Sequence, residues 1–346
     1  MRTYIISVSD EQPATNHPDR INKMAANIDM SNRRSNIAFV GEVPWHGLGK
    51  KMMPGSSFDI WMEEAGLSWK AKRASVNFID EEGIVQKGMS EIVYRSDTKK
   101  ELGIVTSRYH IVQPSEVIEF YSDLVATRGW EIEVAGSLDG GKKIWALAKT
   151  DADIHVLGGA DKINIYILLA TTFDGTMATI GKFTSIRVVC QNTLSMSLSD
   201  KMAKVSVPHS RVFNAETVKN ELGIYEASTI KFEEDTNILA KQKMSDKDAM
   251  KFIINILAGS DTLVEDLSTR QSNIIRGVFD LYKGKGAGSN LVTSSGTAWG
   301  IVNSITEYVD HHINSRSVNN RMKSAWFGQG EAMKNLSFSE ALKIAA

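Results

Sequence analysis

A single cysteine in 346 residues leaves no internal disulfide framework and no cysteine-based zinc site, and it fits a reducing cytoplasm. An excess of one charge is missing too. The formal net charge is −1, so no global field draws the chain to nucleic acid or a membrane surface, and a nucleic-acid site must be a local basic patch. No apolar run approaches the roughly 20 residues of a membrane span. The first residues lack the basic-then-apolar design of a secretory signal. There is no internal repeat, no serine framed as a nucleophile elbow, and no motif that asks for a cofactor. These absences predict a soluble cytoplasmic protein without a membrane partner. The length exceeds what one ordinary core needs, so one large domain with an appendage, or two domains, is expected.

The chain divides into three stretches. Residues 1–35 are polar, with Asn16-His17-Pro18-Asp19-Arg20 and Ser31-Asn32-Arg33-Arg34-Ser35, and read as a flexible arm in which Met24 is an alternative start. Residues 36–212 read as an α+β core. Period-two runs around Trp69 to Phe78, Ile92 to Tyr94 and Leu102 to Val105 predict three antiparallel strands. A helix follows from Pro114, with Val117, Ile118, Tyr121, Leu124 and Val125 as its apolar stripe and Gly129 as its stop. Trp130 to Ser137 and Lys143 to Lys149 form a hairpin around Asp139-Gly140-Gly141. Ile163 to Thr171 is apolar enough for a central strand covered on both faces, and Met177 to Thr184 returns as another strand. Helical spacing of Val189, Leu194 and Leu198 predicts a closing helix from Ile186. The sum is α+β with an antiparallel sheet. Residues 213–346 read as helical, with a capping box at Ser245 to Asp248.

Four constellations bear on chemistry. Lys142, Lys143 and Trp145 in the hairpin, Lys182 and Arg187 beside Cys190, and Lys70, Lys72 and Arg73 on an early strand make a basic and aromatic set of the kind that tracks single-stranded nucleic acid. The same lysines also fit solvated sheet edges. Pro44-Trp45-His46-Gly47-Leu48-Gly49-Lys50-Lys51 reads either as a ligand loop, with Trp45 stacking and Lys50 on phosphate, or as a loop whose Trp45 plugs the core. On a helix over residues 297–314, Glu307, Asp310 and His311 have ligand types suited to a divalent metal. A polar network reaching Arg316, Arg321 or a neighbouring subunit is the preferred reading of these residues. Lys283 to Ser289 is glycine-rich but lacks the Gly-Lys-Ser/Thr ending of a P-loop, so it reads as a connector or as a cradle of backbone amides for an anion. Cys190 lies in an apolar run and reads as a buried thiol.

Several of these segments in order resemble one family. They are Pro44 to Gly49, Tyr109-His110-Ile111-Val112-Gln113-Pro114-Ser115, Ala135 to Leu138 with Trp145 to Ala148, Phe173-Asp174-Gly175, Ile186 to Leu194, Thr297-Ala298-Trp299-Gly300 with Glu307 to His311, and Ser324 to Gly328. Together they are similar to the phage/plasmid-like proteins of mobile elements defined by a domain of unknown function of the 932 type, from about Met24 onward. That family brings no catalytic residues. The strand-strand-strand-helix order is also similar, in topology alone, to phage single-strand annealing proteins of the RecT and Red-beta kind. This resemblance implies an oligomeric protein that binds single-stranded DNA and promotes annealing, with Arg187, Lys182, Lys142 and Lys143 on phosphates and Trp45 or Trp145 under bases. The alternatives are a nuclease-like metal enzyme using Glu307, Asp310 and His311, or a non-enzymatic assembly or defence-evasion protein that oligomerises through its helical half.

Overall fold

Strands dominate the first part of the chain and helices the second. The computed structural model describes residues 36–41, 49–159, 161–187, 192–195, 204–222, 225–260, 262–315 and 318–346. In order come β1 (Ile37–Phe39), β2 (Lys50–Lys51), α1 (Phe58–Glu64), β3 (Ala71–Ile79), β4 (Val85–Arg95), β5 (Glu101–Thr106), α2 (Pro114–Glu119) and α3 (Ser122–Arg128). Then follow β6 (Glu131–Leu138), β7 (Lys143–His155), β8 (Lys162–Thr172), β9 (Thr179–Arg187), β10 (Asn192–Ser195) and β11 (Lys204–Val207). The helical part comprises α4 (Ala215–Leu222), α5 (Tyr225–Lys241), α6 (Asp246–Ala258), α7 (Thr269–Asp280), α8 (Ala298–Glu307), α9 (Val318–Phe327) and α10 (Gln329–Ala345).

The fold is α+β, as the strand and helix patterns predict, built on two sheets. The larger runs β10-β9-β8-β7-β6-β1-β2, and β11 pairs along residues 179–182 of the β9 edge that β10 uses further on. Its β1–β2 pair is parallel, so the sheet is mixed rather than purely antiparallel. The smaller sheet is β3-β4-β5. β8 is buried on both faces. Ile163, Ile165, Ile167 and Leu169 join the main core while Tyr166, Leu168 and Ala170 join a second cluster on the opposite side. A continuous apolar run is what two-sided burial requires of a strand. The β6–β7 turn needs left-handed backbone at Gly140 (φ 71°) and Gly141 (φ 98°), which glycine adopts without steric cost.

Where a helix from Ile186 is expected, the described residues 186–187 and 192–195 are strand. β9 continues to Arg187, and β10 returns antiparallel with Thr193 opposite Ile186. Helical spacing of three apolar residues gave way to β-branched Ile186 and Thr193 and to the open edge of β9. Cys190, Val189 and Leu198 lie outside the described residues, as does the arm 1–35. The helix from Pro114 is likewise two short helices. α2 starts with a capping box between Gln113 and Glu116, and the chain breaks at Phe120–Tyr121, where the Tyr121 hydroxyl reaches the main chain of β7 and β8.

α8 is buried along all ten residues. Its polar members satisfy themselves locally: Asn303 Nδ2 donates to Trp299 O, Ser304 Oγ to Gly300 O and Thr306 Oγ1 to Val302 O, the back-bonding by which a helix hides such groups. α6 starts where the capping box predicts, with Ser245 Oγ accepting from Asp248 N. Phe338 of α10 and Val302 of α8 share the main core with Ala146 of β7, while Met322 and Trp326 of α9 close the opposite face of the larger sheet. Among the described residues no helix is long and apolar enough to cross a membrane.

Candidate nucleic-acid interface

Lys143, Trp145 and Lys182 lie on the sheet face that α9 covers. Lys182 is 3% exposed. Its Nζ donates to Trp326 O at 2.9 Å and pairs with the Glu331 carboxylate. Lys143 holds its ammonium 4.2 Å from the centre of the Phe327 ring and 3.8 Å from Met177 Sδ. Trp145 packs edge-on against Trp326, ring centres 5.0 Å apart. Desolvation lowers both lysines from their ordinary range, Lys143 to about 8. Between β9, β10, α9 and α10 a small cleft lined by Lys182, Glu331, Thr193 and Lys334 holds room for about one water. The phosphate and stacking roles expected of Lys182, Lys143 and Trp145 are therefore closed to them in this conformation. Alternation along β7 and β9 put all three on one face, and Met322, Trp326 and Phe327 occupy it.

The remaining members of that set scatter. Lys142 is half-buried at the β6–β7 turn. Lys50 is exposed and pairs with Glu64. Arg187 closes β9 opposite Ile163 and Asn192, with its side chain outside what is described, and Trp45 lies outside the described residues.

The metal candidates diverge. After α8 the chain widens into a π-turn over Tyr308–His312, which stacks residue i+5 rather than i+4 over residue i. Glu307 Oε1 consequently has His312 Nε2 at 3.4 Å. The same carboxylate accepts the Ala287 N–H at 3.0 Å, so one amide of the glycine-rich segment is taken up by a side chain of its own chain. Asp310 accepts from Thr193 N at 2.7 Å and from Lys334 Nζ at 2.7 Å. The His311 main-chain oxygen accepts from Arg321 Nη1 at 2.6 Å, the partner the polar-network reading expects. Among the described residues no group of three His, Cys, Asp or Glu side chains is placed to hold a metal.

The smaller sheet offers what the larger hides. Register puts Lys72 beside Tyr94, and Ala74 beside Ile92 and Ile104, on one face. Ile104 is 57% exposed, so this face is open. The other face carries Arg73, Val93 and Gly103 inward. A Cβ on Gly103 would stand 2.5 Å from Asp174 Cα, which is how closely this sheet presses on the β8–β9 turn. Two arginines expected on a basic side are engaged: Arg73 with Glu91 and the Tyr109 carbonyl, Arg95 fully buried over the Trp69 ring at 4.6 Å and paired with Asp97. Lys70, Lys72, Lys99, Lys100 and Arg108 remain exposed. Gly140 backs onto Lys100, whose Nζ would be 2.6 Å from a Cβ there. The β4–β5 turn with Lys99 and Lys100 thus abuts the β6–β7 turn with Lys142. Of the nearby acids, Asp97 and Asp139 are paired with Arg95 and Lys323, while Glu101, opposite Tyr94 on this face, is exposed. Asp80, Glu81 and Glu82 sit at the far end of the β3–β4 hairpin.

Residues 101–326 match the family model described as Domain of unknown function (DUF932). The chain belongs to this family. The DUF932 match runs from β5 to Trp326 of α9, so β3, β4, the Pro44 to Gly49 motif and α10 lie outside it. It includes the hidden lysine face, Glu307 with its loop, and the Thr297 to Gly300 motif. No match was found among curated proteins or among solved structures.

Proposed function

We propose that this DUF932 protein is a mobile-element accessory protein that binds single-stranded DNA and promotes annealing, through the open face of the β3-β4-β5 sheet. The observation that carries the reading is the row of exposed Lys72 and Ile104 with half-buried Tyr94 and Ile92 between them, and with exposed Lys100 and half-buried Lys142 at its rim. Tyr94 supplies a ring for a base, the two isoleucines an apolar floor, and the lysines phosphate contacts, a combination that binds strands without reading their sequence. The phage and plasmid setting comes from the ordered motifs quoted above. The lysines beneath α9 serve as structural cations in this reading.

Fluorescence anisotropy with a labelled oligonucleotide tests it. Binding at low salt should weaken linearly in log–log form as salt rises. Tyr94→Ala should weaken it by about 1–3 kcal/mol, the usual value of one stacked base. Absence of binding at low salt, or full binding by a Tyr94→Ala, Lys72→Ala double variant, sinks the proposal.

A further inference from the structure

β3 is an edge strand, and among the described residues it has a neighbour on one side only. At its start the open edge is stoppered. The Gln113 side chain accepts from Ala71 N at 2.9 Å and donates to Ala71 O at 3.1 Å, standing where a neighbouring strand would stand. Alternation then points the N–H and C=O of Arg73 and Ser75 to the same open side. The strand is long for an edge, carries no proline, and exposes Phe78 and Ile79, with Val85 and Met89 beside them on β4. Edges of this kind pair with another strand unless blocked.

The charges along β3 say which strand. Its base is cationic with Lys70, Lys72 and Arg73, and its far end is anionic with Asp80, Glu81 and Glu82. We propose that β3 pairs antiparallel with β3 of a second copy of this chain, about a two-fold axis at Val76. That register puts Ser75 across from Asn77, Arg73 across from Ile79, Ala74 across from Phe78 and Lys72 across from Asp80. Lys70 then approaches Glu82. Each contact occurs twice because the interface is isologous. A parallel pairing, or a slip that set Lys72 against Lys72, would bring like charges together, which costs free energy in cross-strand positions. The result is one six-stranded sheet across two copies, with Phe78 and Ile79 covered. The contact needs no nucleic acid and stands whether or not the open face binds DNA.

Sedimentation velocity on the full chain without DNA tests this. The wild-type chain is expected to be a dimer. Ser75→Pro removes an outward N–H and leaves the β4 ladder its bonds; it should give folded monomers whose melting no longer depends on protein concentration. Two charge variants, Lys70→Glu and Glu82→Lys, should each raise the dimer Kd at least about tenfold. Mixed together they should restore a heterodimer, because each base then meets an opposite end. A monomeric wild type overturns the proposal. So does an assembly that Ser75→Pro leaves intact, or a mixture that stays monomeric while both variants remain folded.

Discussion

Lys334 Nζ on α10 lies 2.7 Å from Asp310 Oδ1 in the π-turn after α8, and the two side chains are 2% and 5% exposed. Thr193 Oγ1 accepts from the same ammonium at 2.7 Å. One buried ion pair therefore ties β10, the π-turn and α10 at a single point. Breaking a buried pair by removing one partner typically costs about 3–5 kcal/mol, because the survivor keeps its desolvation penalty. Lys334→Met should lower stability by that order in urea unfolding. Adding Asp310→Asn, which keeps an acceptor for Thr193, should recover part of it. An unmoved denaturation midpoint in Lys334→Met would mean that water has access to Asp310.

Lys143 makes a pH prediction. The unfolded chain holds this proton up to the ordinary pKa of 10.5, the folded chain only to about 8. Between these values the unfolded state binds more protons, so stability rises with pH across the window and the penalty is fully present below it. Burial is the largest cause, and the cation on Lys323 adds to it. Lys182 shifts in the same direction, so the check is a difference. The pH-stability curve of Lys143→Met should be flatter than that of the wild type from about pH 8 upward and should lie above it at neutral pH. Parallel curves would show that Lys143 keeps its full charge beneath Phe327.

Gly300 shows why a family motif reads as it does. It opens α8 where a Cβ would fall well inside van der Waals distance of the Ser294 carbonyl oxygen, while Thr297 Oγ1 accepts from Gly300 N at 3.0 Å. The Trp299 indole N–H beside it donates to buried Asp161 at 3.1 Å. Thr297-Ala-Trp-Gly is a cap, a wedge into the loop before β8, and a residue with no side chain at the closest approach. Gly300→Ala should destabilise by about 1–3 kcal/mol, the usual cost of overpacking, seen as a lower melting temperature. Unchanged melting would place the Ser294 loop as free to retreat.

Much of this architecture was legible in residue order because strands report locally. The β3-β4-β5 meander and the β6–β7 hairpin follow from period-two patterns and from turns such as Asp139-Gly140-Gly141, and the two-sided β8 from its continuous apolar run. Three features were not legible, two for want of a distant partner and one because the helix changes its pitch locally. The strand at Asn192 depends on the edge of β9 and on Asp310, more than a hundred residues later. The covered fate of Lys182 depends on Trp326 and Glu331. The separation of Glu307 from His311 depends on a π-turn that an ideal helical wheel does not contain. Alternation did mark Tyr94 and Ile92 as sharing a face; only the structure shows that Ile104 beside them stands exposed.

Glu307 supplies the prediction that separates a structural carboxylate from a catalytic one. Its oxygens face the Ala287 N–H, and a Cβ on Gly286 would be 3.1 Å from Oε2, so glycine there lets the loop wrap closely around the acid. By accepting the Ala287 N–H the carboxylate fixes the turn between α7 and α8. Glu307→Ala should speed hydrogen exchange at the Ala287 amide by about tenfold or more, since a bond to a charged acceptor is worth about 1.5–3 kcal/mol. The DNA binding proposed for the β3-β4-β5 face should not change, because the loop shares no residue with it. Metal content should be equal in wild type and variant. A metal that copurifies with the wild type and is lost in Glu307→Ala, with exchange at Ala287 unaltered, would reverse the assignment and return Glu307 to the chemistry of the chain.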